Sequence, residues 1–300
     1  FKDTAPGALL ERLQVGVPEL RYRICLETAP SSGWVALPEL LAHRATPAEL
    51  ETLRQFQVRL DEVSNITASS GSTGLPKLCA WPEAAQLALA RGIADRLQLT
   101  PADNVGIFCP IAGGGGLMLW VCSGLVPCKY TIADDYEPEV LLSLIERERI
   151  TVVATVPVIL ARLAQAASVQ RYDLRSLRAI RVGAAAANPA LLRLAEERLG
   201  CVVVQAAGTM EMGCFAQVGL DEPPTIRHGG TVGRPLLGSR VRLVDDEGMP
   251  LPPDQVGELQ VWAAFAAVGY VGDGSLPIQG WDPDDFTCWF TTGDLAHRDA

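Results

Sequence analysis

Metal-site spacing is missing from this 300-residue chain: its eight cysteines form no CxxC pair, and its three histidines, His43, His228 and His297, lie far apart. The first absence weighs against a zinc site or a disulfide framework and, with most cysteines set in apolar runs, predicts reduced packing thiols. The second removes the usual metal and nucleophile partners. No apolar run reaches the roughly 20 residues of a bilayer span, since "GGGGLMLWVCSGLVPC" is broken by glycines and a proline. The chain opens at Phe1 with no charged segment leading into an apolar one, so no secretory leader is expected. A GxSxG hydrolase elbow is also lacking. Basic charge is scarce, 25 Lys and Arg against 35 Asp and Glu for a net charge of −10, which disfavours nucleic acid as a partner. The expectation is a cytoplasmic protein without membrane or nucleic-acid partners.

A hydrophobic content of 48% over this length buries a sizeable core, in one large domain or two packed subdomains. From about residue 84 to 213 two apolar periods alternate. "PEAAQLALARGIADRLQL", "PEVLLSLIERERI", "VILARLAQAA" and "NPALLRLAEERLG" carry helical spacing, while "NVGIFCP", "TVVATVP", "LRAIRVGAAA" and "CVVVQAAGT" are short buried-strand candidates. Such alternation predicts an α/β fold, a mainly parallel sheet flanked by helices. Asn188 and Pro189 form a helix start and Gly200 a stop. Beyond Gly213 the chain turns rich in Gly, Pro and alternating runs, with "DDEG" as a hairpin turn after "RVRLV". The expected division is an α/β part over 1–213 and a β-rich subdomain over 214–300.

The densest chemical signal is "SSGSTGLPK" (Ser69–Lys77), where two glycines, hydroxyl donors and a lysine suit a phosphate cradle, or else a flexible turn. Gly71 and Gly74 are three apart and Leu78 follows Lys77, so the Walker pattern GxxxxGK[ST] does not fit.

The stretch resembles the signature [ST]SG[ST]TGxPK of the adenylate-forming superfamily, which includes acyl-CoA synthetases, peptide-synthetase adenylation domains and luciferases. Further motifs follow in the family's order: "VGAAA" (Val182–Ala186) at its GGA turn, "GTME" (Gly208–Glu211) at YGxTE, "VGRP" (Val232–Pro235) at GxxGRP, "GELQVWAAFAAVGY" (Gly257–Tyr270) at GELxxxGxxxxxGY, and "WFTTGD" (Trp289–Asp294) at YxTGD. "LSLIERERITVVATVPVILARL" and "VVQAAGTMEMG" look most like ligases that adenylate aromatic acids. The resemblance covers the middle of such a protein. It implies an upstream part and a mobile C-terminal domain with a catalytic lysine outside these residues, and hence poor turnover by the 300 residues alone.

What the resemblance implies is activation of a carboxylic acid by ATP and Mg²⁺ as acyl-AMP, then transfer to CoA or to a phosphopantetheinyl carrier protein. On this reading Ser70, Gly71, Ser72, Thr73, Gly74 and Lys77 hold the β- and γ-phosphates, with Lys77, Thr73 and Glu211 the catalytic set and Glu211 on Mg²⁺. Asp294 takes the ribose hydroxyls, Gly183, Ala184 and Ala185 wall the adenine slot, and Ala207, Gly208 and Thr209 flank it. Two departures stand out: Ala207 replaces the family's adenine-stacking aromatic and Met210 its threonine. They leave open full adenylation, a non-adenylating acyl-AMP:thiol ligase, or a catalytically impaired binding module. Gly113 and Gly114 stand where relatives place a histidine and a substrate-reading residue, so an α-amino acid or catechol acid lacks its partner. Gly113, Gly114, Gly115, Leu117, Met118, Leu119, Gly183, Ala206, Met212 and Cys214 are the expected pocket, apolar and roomy, for a bulky aryl, alicyclic or polycyclic acid. The alternative for "GGGG" is a loop under the helix "LMLWVCSGL".

Overall fold

Short runs of Val, Ile and Ala bury both faces of a strand, whereas apolar residues recurring every three or four positions bury one helix stripe; a chain that alternates them layers helices over a parallel sheet. The computed structural model describes residues 22–26, 34–55, 59–69, 76–271 and 285–299. The chain divides into units 1–58 and 59–300. In the first, β1 (Arg23–Cys25) pairs in parallel with β2 (Trp34–Ala36), and helices α1 (Leu37–Ala42) and α2 (Pro47–Gln55) follow.

The second unit opens with β3 (Val63–Ala68) and β4 (Leu78–Pro82), an antiparallel pair. The alternating region follows: α3 (Glu83–Arg96), β5 (Asn104–Phe108), α4 (Gly114–Val121), β6 (Lys129–Ile132), α5 (Pro138–Glu148), β7 (Val152–Thr155), α6 (Pro157–Gln165), β8 (Ala179–Val182), α7 (Pro189–Leu199) and β9 (Val202–Thr209). Last come β10 (Gly213–Gln217), α8 (Pro224–Arg227), β11 (Arg234–Pro235), β12 (Ser239–Val244), β13 (Val256–Ala263), β14 (Gly269–Val271) and β15 (Phe290–His297). A seven-stranded sheet runs β11-β10-β9-β8-β7-β5-β6, parallel from β9 to β6 and antiparallel at β10 and β11.

Strand alternation assigns the two faces. Val152, Ala154, Ala179 and Ala206 pack with Leu89 and Ile93 of α3 and Met118 and Leu119 of α4. Val153, Ile180, Val182 and Val203 pack with Leu141 of α5, Leu160 of α6 and Leu192 of α7. The predicted α7 boundaries hold: Asn188 Oδ1 accepts from Leu191 N at 2.8 Å, Pro189 begins the helix, and Gly200 ends it at φ +69°.

The β-rich tail joins several sheets. β12, β13 and β15 form an antiparallel sheet, and the Asp245–Gly248 turn after β12 uses Gly248 at φ +80°. β14 instead pairs with β4. Gly213, the expected boundary, lies inside the β9–β10 hairpin opposite Thr209, and the division between units falls at Val58/Arg59.

Candidate active site

The Gly/Ser loop springs from the β3–β4 pair and is tied at its base, where Ser69 N donates to Lys77 O at 2.8 Å and Lys77 N to Ser69 Oγ at 3.3 Å. Ser70, Gly71, Ser72, Thr73 and Gly74 lie outside the described residues. Lys77 is described, and its Nζ sits 5.0 Å from the ring centroid of Tyr270. β14 places that ring: Tyr270 pairs with Cys79 on β4, two residues beyond Lys77.

The Tyr270 hydroxyl donates to Glu211 Oε1 at 2.9 Å. Glu211 occupies the tip of a three-residue hairpin, Met210–Met212, between β9 and β10. Its geometry follows from the residues around it. Gly213 takes φ +64°, a conformation that closes such hairpins and favours glycine. Thr209 Oγ1 accepts from Met212 N at 3.0 Å, and a side chain on Gly208 would strike the Gly213 carbonyl. Ala267 N, in the segment leading to β14, donates to the Glu211 carbonyl at 2.8 Å and ties the hairpin to Tyr270's strand. Thus Lys77, Tyr270 and Glu211, from three distant segments, form one chain of contacts.

Burial, then the Glu211 acceptor, push the Tyr270 hydroxyl above its ordinary range, so it stays a donor at neutral pH. Burial also raises the Cys79 thiol to about 12, Glu211 adding to the shift and Lys77 opposing it. Among the described residues neither Lys77 nor Glu211 has an ion-pair partner, and Glu211 Oε2 has no donor. A cation and a carboxylate held near each other with capacity unused fit a phosphate and a hard metal ion respectively.

Around this centre the expected residues are distributed unevenly. Gly183, at the end of β8, is buried, and a Cβ there would lie 3.3 Å from Ala206 O. Ala184 and Ala185 are exposed, and Ala184 takes φ +67°, costly for a residue with a Cβ. Ala207 is half-buried, Gly208 exposed. Met118, Leu119, Ala206, Met212 and Cys214 are buried in a single cluster. Gly113 is the N-cap of α4, and Gly114, Gly115 and Gly116 form its first turn, so most of "GGGG" is helical rather than loop. A Cβ at Gly115 would meet open space, but at Gly116 it would lie 2.6 Å from Pro110 O. Leu117 faces a groove with Ser64, Glu83, Gln86 and Trp120. Asp294 stands exposed on β15 within a bulge: Glu258 pairs with Leu295 and Gln260 with Thr291, so three residues oppose Leu259. Gly293, at φ +80°, makes that bulge possible. No contact links Asp294 with Lys77 or Glu211 among the described residues.

Two residues have a place here that motif reading gave no role. Tyr270 closes the quoted "GELQVWAAFAAVGY", and its signal was its position as the motif's last residue. Arg181 is the one charge in the β8 strand "AIRV", and such a charge in a parallel, buried strand is itself the anomaly. It is 6% exposed, and its Nε donates to Gln217 Oε1 of β10 at 2.9 Å.

A largely parallel, helix-flanked sheet whose β9 leads into an acidic hairpin linked through Tyr270 to Lys77 is an α/β core of the adenylate-forming kind, and solved structures agree. The anthranilate CoA ligase AuaEII, solved with anthranoyl-AMP, superposes at a TM-score of 0.81 with 21% identity over 98% of this chain and 55% of that one. The amide bond synthetase McbA from Marinactinospora thermotolerans gives 0.78 with 29% identity over 98% and 56%. The family described as AMP-binding enzyme matches residues 10–271, and the chain belongs to it. The 2-hydroxy-7-methoxy-5-methyl-1-naphthoate–CoA ligase of Streptomyces carzinostaticus is 32% identical over 251 residues, 80% of this chain and 43% of that protein. The chain spans about half the length of the curated relatives it matches.

Proposed function

We propose that the protein carrying this chain activates a carboxylic acid with a bulky apolar body by ATP, forming an acyl-AMP and pyrophosphate, and passes the acyl group to the thiol of CoA or of a carrier protein. The observation that supports this most is the linked arrangement of Lys77, Tyr270 and Glu211. In the proposed reaction a carboxylate oxygen of the acid attacks the α-phosphorus and the pyrophosphate leaves. Lys77 and the loop 70–74 hold the departing phosphates, and the positive charge stabilises what develops there. Glu211 would hold Mg²⁺, which when bound would supply further charge neutralisation. Tyr270 keeps Glu211 oriented by occupying Oε1 and leaving Oε2 open.

Asp294 is proposed for the ribose hydroxyls and Gly183–Ala185 for the adenine wall. Ala207 offers no ring to stack on adenine, so nucleotide affinity should rest more heavily on the phosphate end. The acid is proposed to lie beside Gly113, Ala206 and Cys214, with Met118, Leu119 and Met212 behind them. Relatives named for naphthoate and fatty acids are consistent with an apolar body.

The test is acid-dependent exchange of labelled pyrophosphate into ATP across a panel of aryl, alicyclic and polycyclic acids. Exchange is expected with at least one acid, and K77A and E211Q should each lower it by about 10²–10³-fold. No exchange with any acid, together with no AMP binding, would sink the proposal. Thiolation of a synthetic acyl-AMP without exchange would reassign the protein to the second half-reaction alone.

A further inference from the structure

A guanidinium stays charged at any pH a protein experiences, and a buried one needs acceptors. Arg181 is 94% buried by its 6% exposure, yet among the described residues no carboxylate pairs with it and Gln217 is its sole hydrogen-bond partner. One of its five N–H donors is thereby used, and four have no protein acceptor. Gln217, itself 0% exposed, spends its Oε1 on Arg181, and its Nε2 has no partner either. Gln217 Nε2 is thus a buried donor without a partner, and the Arg181 nitrogens without a protein acceptor keep contact with solvent. A structural arginine elsewhere in the same fold looks different: Arg178 is matched by both oxygens of Asp103 and by the carbonyls of Leu97 and Gln98.

Direction follows from strand alternation. Arg181 shares its face of β8 with Ala179, which packs in the cluster that holds Met118, Leu119, Ala206 and Cys214. Arg181 Nη1 comes within 3.7 Å of the point where a Cβ on Gly183 would sit. On β10, Gln217 stands opposite Ala206. These donors therefore lie on the face of the sheet that carries Ala206 and Cys214, the face on which the acid pocket is proposed. The Arg181 backbone is two residues back along the strand, but its side chain reaches forward, so the guanidinium lies beside Gly183.

We propose that the pocket recognises an acid carrying a second anionic oxygen group, a carboxylate or an ionised phenol, with Arg181 and Gln217 as its receptor. This rests on the acid pocket proposed above. The second group, rather than the reacting carboxylate, is the partner: a fork of N–H donors would immobilise the reacting oxygen and draw off the electron density it needs. The apolar walls then hold the body between two oxygen groups. Arg181 is thus a specificity-determining residue, and the pocket accepts an amphiphilic diacid or hydroxy acid rather than a purely hydrophobic one.

Paired acids test this by calorimetric binding to the protein carrying this chain: terephthalate and para-hydroxybenzoate against para-toluate, and naphthalene dicarboxylate and hydroxynaphthoate against methylnaphthoate, with AMP titrated separately. In at least one ring size the dicarboxylate or the hydroxy acid should bind about tenfold or more tighter than the methyl acid, the scale of a charge-assisted hydrogen bond. The arm that shows the preference identifies which oxygen group is read. In R181M the preference should fall to about one, while R181K keeps part of it. Methyl acids binding as well as or better than both partners in both sizes, no acid binding at all, or R181M retaining the preference would each overturn the inference. The first comparison uses the unaltered protein, so it does not depend on a variant folding. AMP binding without the preference removes the Arg181 reading alone, whereas the preference without AMP binding removes the nucleotide half of the proposed function alone.

Discussion

Removing the Tyr270 hydroxyl leaves Glu211 Oε1 without its donor but keeps the ring under Lys77. Y270F should therefore weaken the Mg²⁺ requirement's midpoint by about threefold to tenfold, the worth of one hydrogen bond, measured by titrating Mg²⁺ in the exchange assay; an unchanged midpoint would remove Tyr270 from the site. Asp103 carries the clearest pH dependence. Burial raises its carboxyl, but the side-chain hydrogen bonds of Arg178 and Thr151 and the Thr100 backbone N–H outweigh that and hold it at about 2. Because the folded value lies below the unfolded one near 4, the stabilisation is complete above about pH 4 and is lost as pH falls towards 2. Urea unfolding of the wild type should lose about 1–2 kcal/mol more than D103N across that window. Lys77, Glu211 and Asp294 were legible as candidates because motifs preserve identity and spacing; among the described residues Tyr270 links the first two, and Asp294 contacts neither. Tyr270's partner was not legible, since spacing says nothing of which distant strand a ring meets. Arg181 left a trace in the charge within "AIRV", whose meaning needed Gln217 from another strand.

Two motif glycines separate conformation from space. Gly233 takes φ +81° and abuts the Gln217–Val218 backbone, so G233A adds a collision to backbone strain; Gly293 takes φ +80° with nothing within 4 Å. G293A should cost about 1–2 kcal/mol and G233A clearly more, with thermal unfolding giving the order; equal losses would show that collision at Gly233 is relieved by movement. G293A should also disturb the bulge that presents Asp294 and weaken AMP binding more than G233A does for each degree of lost stability. Helices and parallel strands were readable because period and capping are local, as Asn188, Pro189 and Gly200 show around α7. The alternative reading of "GGGG" as a loop gives way to a helix start because glycine's poor helix propensity is a weak prior. Here the good helix formers that follow, and the close approach of Gly116 to the Pro110–Ile111 backbone, override it. β14 was hidden for a different reason: three residues make a strand only by pairing with β4, far back in the chain.

At the scale of the molecule, residues 59–300 form a unit whose sheets draw on segments from both its beginning and its end. Expressed alone, they should unfold in a single cooperative transition seen alike by far-ultraviolet and tryptophan signals; two separated transitions would argue for a boundary near Gly213 instead. Composition anticipated the α/β class and a β-rich tail, but not that the tail would return β14 to the β3–β4 pair and so deliver Tyr270. That return has a practical corollary at Cys79. Its thiol is 0% exposed on the middle strand of β14-β4-β3 and is held at about 12, and a thiol reacts only as an accessible thiolate. Alkylation there requires the packing around β4 to open. The labelling rate at Cys79, followed by peptide mass mapping, therefore reports how often the sheet that carries Lys77 and Tyr270 loosens, and bound nucleotide should slow it.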